Sequence, residues 1–249
     1  MQTSNPAFSD NILSHFDQSR SWGTSTTLTA QGTALKGLVL LALVMLTAAW
    51  SWDQTAAGTM PQGLMVGSMI GGFVLALITT FKPTAAPWTA PIYAAVQGVF
   101  LGSLSRVIEN QGYPGIAFQA VALTGGVSFV MLFTYVTGLI KVTGQLVAAV
   151  TAATGAIALV YLASWIAGMF GYPFTLIQGS GGFSIAFSVF VVGLAAFNLL
   201  LDFDQIDRWS RSGAPKSMEW YCAFGLMVTL IWLYLEIVRL LMKLQSRRD

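Results

Sequence analysis

The sequence predicts an all-α protein, a polytopic membrane helix bundle with seven transmembrane helices, and three observations predict it. Of 249 residues, 55% are hydrophobic and only 9% are charged, where a soluble domain carries about 25% charged residues. Apolar runs near the ~20 residues that a bilayer span requires recur along the chain. No stretch alternates with a period of two, and a backbone in lipid must satisfy its own hydrogen bonds, which leaves helices.

The chain divides into a polar N-terminal tail, 1–33, and a single seven-helix transmembrane domain, 34–249. The tail is rich in Ser, Thr, Asn, Gln and Asp and has no apolar core of the length a signal peptide needs. The first span is expected at 34–50, "ALKGLVLLALVMLTAAW". The second, 63–81, carries Gly63, Gly67 and Gly71 at four-residue spacing, and the third, 88–108, carries Gly98 and Gly102. Small residues at that spacing let helix backbones approach closely in lipid. The fourth is expected at 114–136, with Pro114 in its first turn. The fifth is expected at 145–170 and the sixth at 182–203. The last, 215–244, is longer than a bilayer requires.

Several functions are excluded by what is scarce. A net charge of +2 is too small for nucleic-acid binding. The lone cysteine, Cys222, has no partner in the chain for a disulfide. The one histidine, His15, lies in the tail, so no His-based metal site or Ser–His dyad forms within the spans. Lys36, Lys82, Lys141, Lys216 and Lys243 all fall at or near segment ends. No substrate or cofactor constellation is evident, so the protein is read as non-enzymatic and without a cofactor.

Lys and Arg in short loops set orientation. With the N-terminus cytoplasmic, Arg20, Lys36, Lys82, Lys141, Arg208, Arg211 and Lys216 fall inside, and Arg106 outside. Seven spans then put Arg239, Lys243, Arg247 and Arg248 outside, against the rule. The internal loops weigh more, because early helices usually dominate topology.

Ionisable side chains within spans are costly, at least ~2.5–3.5 kcal/mol at mid-bilayer, so each is a functional candidate. Glu236 sits in "LIWLYLEIVRLL", with Arg239 three residues on and placed to neutralise it. Asp202 ends the sixth span in "AAFNLLLDFDQIDR", either as a functional acid or as a helix-end carboxylate wetted by headgroup water. Asp204 and Asp207 are expected with Arg208 and Arg211 in a solvated mixed-charge loop, where they attract cations. Arg106 and Glu109 are expected to pair at an interface, and Asp53 to lie in an outer loop. Gln97 is placed to hydrogen-bond across helices. Two carboxylates sharing a buried site form a proton-sensitive element and an oxygen-rich site suited to a hard cation such as calcium.

The chain resembles the Bax inhibitor-1 (YccA-like) family from the first span to Leu244. The resemblance rests on the seven spans, "GVFLG" in the third, "NLLLDFDQID" closing the sixth and "LYLEIVRLL" in the last. Asp202 with Ile206 resembles the family's sixth-helix aspartate element, and "LYLE" places Glu236 where relatives carry an aspartate. Gln97 occupies a position that often holds a carboxylate in relatives. The resemblance implies a last helix surrounded by the others and a pH-sensitive calcium leak controlled by Asp202 and Glu236. It also implies, for some bacterial members, binding of a membrane protease. A bacterial inner-membrane protein is the expected setting.

Asp202 and Glu236 are 34 residues apart, farther than in relatives. A hairpin turning near Gly213 would set Asp202 level with about Phe224, leaving Glu236 about 18 Å further along the last helix. Three arrangements stay open: an irregular loop that absorbs the surplus, an Asp202 that is unpaired or faces Gln97 or Asn198 instead, or two acids marking successive stations on one path. Two functions follow from different classes. One is a cation leak with the bilayer, protons and divalent cations as its partners. The other is a non-conducting regulator whose polar tail engages a membrane protein partner.

Overall fold

The computed structural model describes residues 27–171 and 179–247. His15, Arg20, Arg248 and most of the expected tail fall outside them. Seven helices among the described residues are long and apolar enough to cross a membrane. They are α1 (Ala30–Ala56), α2 (Gln62–Phe81), α3 (Ala86–Asn110), α4 (Ile116–Thr137), α5 (Gly144–Met169), α6 (Gly182–Arg211) and α7 (Met218–Ser246). A 3-10 turn, Pro83–Ala85, leads into α3.

Local chemistry explains where the boundaries differ from expectation. Helix α1 begins at Ala30 because Thr29 caps it, its hydroxyl accepting from the Gly32 amide. Pro114 is not in the first turn of α4: Gly115 takes a left-handed conformation (φ 75°) as the N-cap, so the helix starts at Ile116. The largest correction is at α6. The expected mixed-charge loop after residue 203 is helical to Arg211. Asp204 pairs with Arg208 at 2.7 Å and Asp207 with Arg211 at 2.6 Å, each at i,i+4. Those pairs extend the helix, and the two arginines complement the dipole at its C-terminal end.

The described residues form two compact units. One holds residues 27–114 and 204–228; the other holds 115–203 and 229–247. The division runs through α6 and α7, so both helices serve both units.

In the first unit α1 and α3 pack through glycine. A Cβ on Gly98 would strike Thr47 and the backbone of Val44, and one on Gly102 would strike Ala48 and Ser51. The expected stripe on α2 does not pack this way, since Gly63 and Gly67 have open space around them. Gly72 is the close approach there, facing the Gln97 amide. The root of the tail is pinned in the same unit. Leu28 is fully buried, its amide donates to the Ala214 carbonyl (2.7 Å), and its carbonyl accepts from Ser210 (3.1 Å). Glu219, at the start of α7, accepts from the Thr29 amide and hydroxyl and pairs with Lys36.

In the second unit Val147, Val150 and Ile157 of α5 pack with Val191, Leu194 and Leu201 of α6, and Trp232 of α7 joins them. Burial differs from helix to helix. The most apolar windows of α6 and α7 are 56% and 50% buried, against 17% for α1, α2 and α5. The last helix is thus more enclosed than α1, α2 and α5. The outer helices present Leu38, Leu46, Phe73, Phe129, Phe133 and Leu159 outward. Apolar exposure on that scale suits lipid as the solvent.

Candidate functional site

The candidate acids lie in the second unit, along the seam where α6 and α7 run antiparallel. Asp202 is 1% exposed, in mid-helix rather than at a wetted end. Its Oδ2 accepts a 2.5 Å hydrogen bond from the Thr229 hydroxyl of α7. One turn earlier on α6, the Asn198 amide donates to the Thr154 hydroxyl of α5 (2.8 Å) and to its own helix at Leu194 (2.9 Å). Asn198 therefore ties α5 to the helix that carries Asp202.

Glu236 is also 1% exposed and has three donors. Tyr161 of α5 donates to Oε2 at 3.0 Å, while Trp232 (3.3 Å) and Arg239 (2.7 Å) donate to Oε1. Trp232 and Arg239 reach it because i−4 and i+3 share its face of the helix. The Arg239 guanidinium also lies 4.8 Å from the Tyr161 ring centre, a cation–π contact. The arginine side chain is 41% exposed where the glutamate is 2%. A carboxylate inside the helix packing is thus neutralised from its rim, one standard solution for a charge at membrane depth.

A third polar station follows. The ammonium of Lys243 donates to the Ser188 hydroxyl (2.8 Å) and to the Ser184 carbonyl (3.3 Å), both on α6. Thr229, Glu236 and Lys243 are seven residues apart, and so are Asp202, Ala195 and Ser188 on the facing helix. The two observed contacts, Asp202 with Thr229 and Ser188 with Lys243, share one antiparallel register. That register sets the small, fully buried Ala195 level with Glu236. Seven residues return to nearly the same helix face after about 10.5 Å.

The two acids therefore occupy successive levels of one seam. Asp202 is level with Thr229, not with Phe224 as a turn at Gly213 implied, because the chain does not re-enter helix until Met218. Glu236 is bonded about 10.5 Å further along. Of the supporting residues, Asn198 and Arg239 belong to this seam. Gln97 belongs to the first unit, where it hydrogen-bonds Tyr93 on its own helix and its Oε1 is buried without a partner. Asp204 belongs to that unit too, paired with Arg208. Arg106 lies over the Trp52 ring at 5.3 Å, in place of the expected pair with Glu109.

Sequence reading missed Thr229, Tyr161, Thr154, Ser184, Ser188 and the buried role of Lys243. It also missed Glu219, which is enclosed in the first unit. The heptad spacing of Thr229, Glu236 and Lys243 is the signal that would have found the file. Among the described residues no group of three or more His, Cys, Asp or Glu side chains gathers to hold a metal ion. A calcium ion on Asp202 or Glu236 would therefore meet one carboxylate at a level, supplemented by hydroxyl oxygens. Such a site suits weak, transient coordination of a hard cation better than a resident one.

A family model described as Bax inhibitor 1 like matches residues 5–246, nearly the whole chain. No curated protein and no solved structure matches.

Proposed function

The chain belongs to the Bax inhibitor 1-like family of membrane proteins, and we propose that it acts as a pH-sensitive calcium or cation leak. In this reading the α6–α7 seam is the route. Asp202 and Glu236 are its two acidic stations, and protonation of these carboxylates controls passage. The observation that carries the reading is the enclosure of both acids, each 1% exposed, at successive levels of one seam in a chain that excludes charge from most of its spans. Buried ionisable groups facing a helix interior mark ion and proton pathways. Each station offers oxygen ligands, from Asp202 and Thr229 at one level and from Glu236 and Tyr161 at the next. The protein in this role sits in a bacterial inner membrane with its N-terminus cytoplasmic, and it performs no catalytic step. The test is calcium entry into proteoliposomes loaded with a calcium dye, across about pH 6 to 8. Wild type is expected to conduct with a pH dependence that Asp202→Asn with Glu236→Gln removes.

A second reading is favoured by one observation. The root of the tail is fastened at Leu28 and Thr29 to the α6–α7 turn and to Glu219. A polar tail displayed from a fixed point suits a non-conducting regulator that binds a membrane protease or another membrane protein. Deleting residues 1–26 leaves that anchorage in place. Loss of partner capture with calcium flux intact would separate this role from the leak.

A further inference from the structure

Arg106 is the arginine that the helices leave without an acid. Arg208, Arg211 and Arg239 each pair with a carboxylate of their own helix, at 2.7, 2.6 and 2.7 Å. Arg106 has Glu109 at the same i,i+3 spacing that joins Glu236 to Arg239, yet among the described residues it pairs with no carboxylate. Its guanidinium lies over the Trp52 ring of α1, 5.3 Å from the centre, and its Nε is buried without an acceptor. The row Gly98, Gly102, Arg106 places it there. Gly98 faces Thr47, Gly102 faces Ser51 and Arg106 meets Trp52, so α1 and α3 run parallel and end on the same side. Trp52 and Arg106 each stand one turn before those ends, at Ala56 and Asn110. The two helices have 27 and 25 residues, roughly 37 to 41 Å of rise against a hydrocarbon core of about 30 Å. The pair therefore falls near headgroup level, where tryptophan concentrates. Two acids follow it outward: Asp53, exposed in the last turn of α1, and Glu109, half-buried in the last turn of α3. Neither carboxylate has a hydrogen bond or ion pair among the described residues.

We infer that this end of α1 and α3 binds the headgroup of a zwitterionic phospholipid with a primary ammonium, of the phosphatidylethanolamine class. The guanidinium takes the phosphate, since its planar fork matches phosphate oxygens and its Nε is a donor in want of an acceptor. Glu109 and Asp53, further out, take the ammonium. Charge selects this class over a simple anion. An anion would gain one guanidinium and face two carboxylates, whereas a headgroup with an inner phosphate and an outer ammonium meets both signs. The N–H groups select ethanolamine over choline, because a quaternary ammonium has no hydrogen to donate to a carboxylate. The site lies wholly in the first unit and does not depend on the leak reading.

The experiment is native mass spectrometry of the full-length protein in detergent. It is titrated with phosphatidylethanolamine, phosphatidylcholine and phosphatidylglycerol of matched acyl chains, with and without inorganic phosphate. Wild type is expected to retain phosphatidylethanolamine several-fold better than the other two, with no competition from inorganic phosphate. Arg106→Gln is expected to lower that retention to the phosphatidylcholine level. Asp53→Asn with Glu109→Gln is expected to abolish the preference for ethanolamine over choline while phosphate-dependent retention through Arg106 persists. Equal retention of the three lipids by wild type overturns the inference, and so does a preference for phosphatidylglycerol. Displacement by inorganic phosphate also overturns it, since the site would then serve a free anion. If Arg106→Gln does not fold, the carboxylate variant decides alone: an ethanolamine preference unchanged from wild type overturns the inference, and its loss upholds it. None of these outcomes bears on calcium flux, so the leak reading stands or falls separately.

Discussion

The Thr229 hydroxyl donates a 2.5 Å hydrogen bond to Asp202, and that contact fixes the register of α6 against α7. It puts Ser188 beside Lys243 and Ala195 level with Glu236, so three polar levels follow one another along the seam. A one-residue slip would turn the whole file away from the partner helix.

Removing the donor should therefore be felt. Thr229→Val keeps the shape and leaves a buried carboxylate oxygen without its hydroxyl. Unfolding in mixed micelles is expected to show a loss of about 1–3 kcal/mol. Much of that loss should disappear in the Asp202→Asn background, which no longer carries a charge to satisfy. Equal losses in both backgrounds would mean that the hydroxyl does not serve Asp202.

Arg239 and Arg208 both hold acids, but at different depths. Arg239→Met strands the enclosed Glu236, and breaking a buried pair costs about 3 kcal/mol or more. Adding Glu236→Gln should restore most of it. Arg208→Ala opens a pair whose arginine and aspartate side chains are 39% and 20% exposed, and should cost about 1 kcal/mol or less. Denaturation midpoints of the three variants, compared in one detergent, check the ordering.

The glycines divide just as sharply. Alanine at Gly98 or Gly102 meets the backbone of α1 and is expected to cost about 1–3 kcal/mol through overpacking. Alanine at Gly63 or Gly67 meets nothing and should be neutral or slightly stabilising, by about 0.5–1 kcal/mol, through helix propensity. Thermal midpoints of the four single variants measure the contrast.

Glu219→Gln weakens the bond to Lys36 and the acceptor that holds Thr29. Hydrogen exchange at the Leu28 amide, which is bonded to Ala214, is expected to quicken roughly tenfold, or about 1.4 kcal/mol of local opening. Exchange at Ala153, in the other unit, should not change. A uniform rise across the protein would mean global destabilisation instead of release of the tail root.

The sequence displayed the helices well because hydropathy and length suffice to mark a span. Ends were harder. Asp204, Asp207, Arg208 and Arg211 look like a loop by charge, yet at i,i+4 spacing the same charges prolong α6. Glycine spacing alone did not separate Gly98, pressed against α1, from Gly63, which touches nothing, because the difference lies in the neighbouring helix. Asp202 and Glu236 stood out as carboxylates in apolar runs. Their partners Thr229 and Tyr161 did not, since a hydroxyl in a span is common and its role depends on register. Lys243 read as an end-of-helix lysine, yet Ser184 and Ser188 on the facing helix accept from it and it lies buried.

The most direct test of the account is calcium flux into dye-loaded proteoliposomes for wild type, Asp202→Asn, Glu236→Gln and the double variant, from about pH 6 to 8. The account predicts a pH-dependent flux in wild type, a changed dependence in each single variant and its disappearance in the double. Flux in the double variant that follows the wild-type curve across the whole range would contradict it.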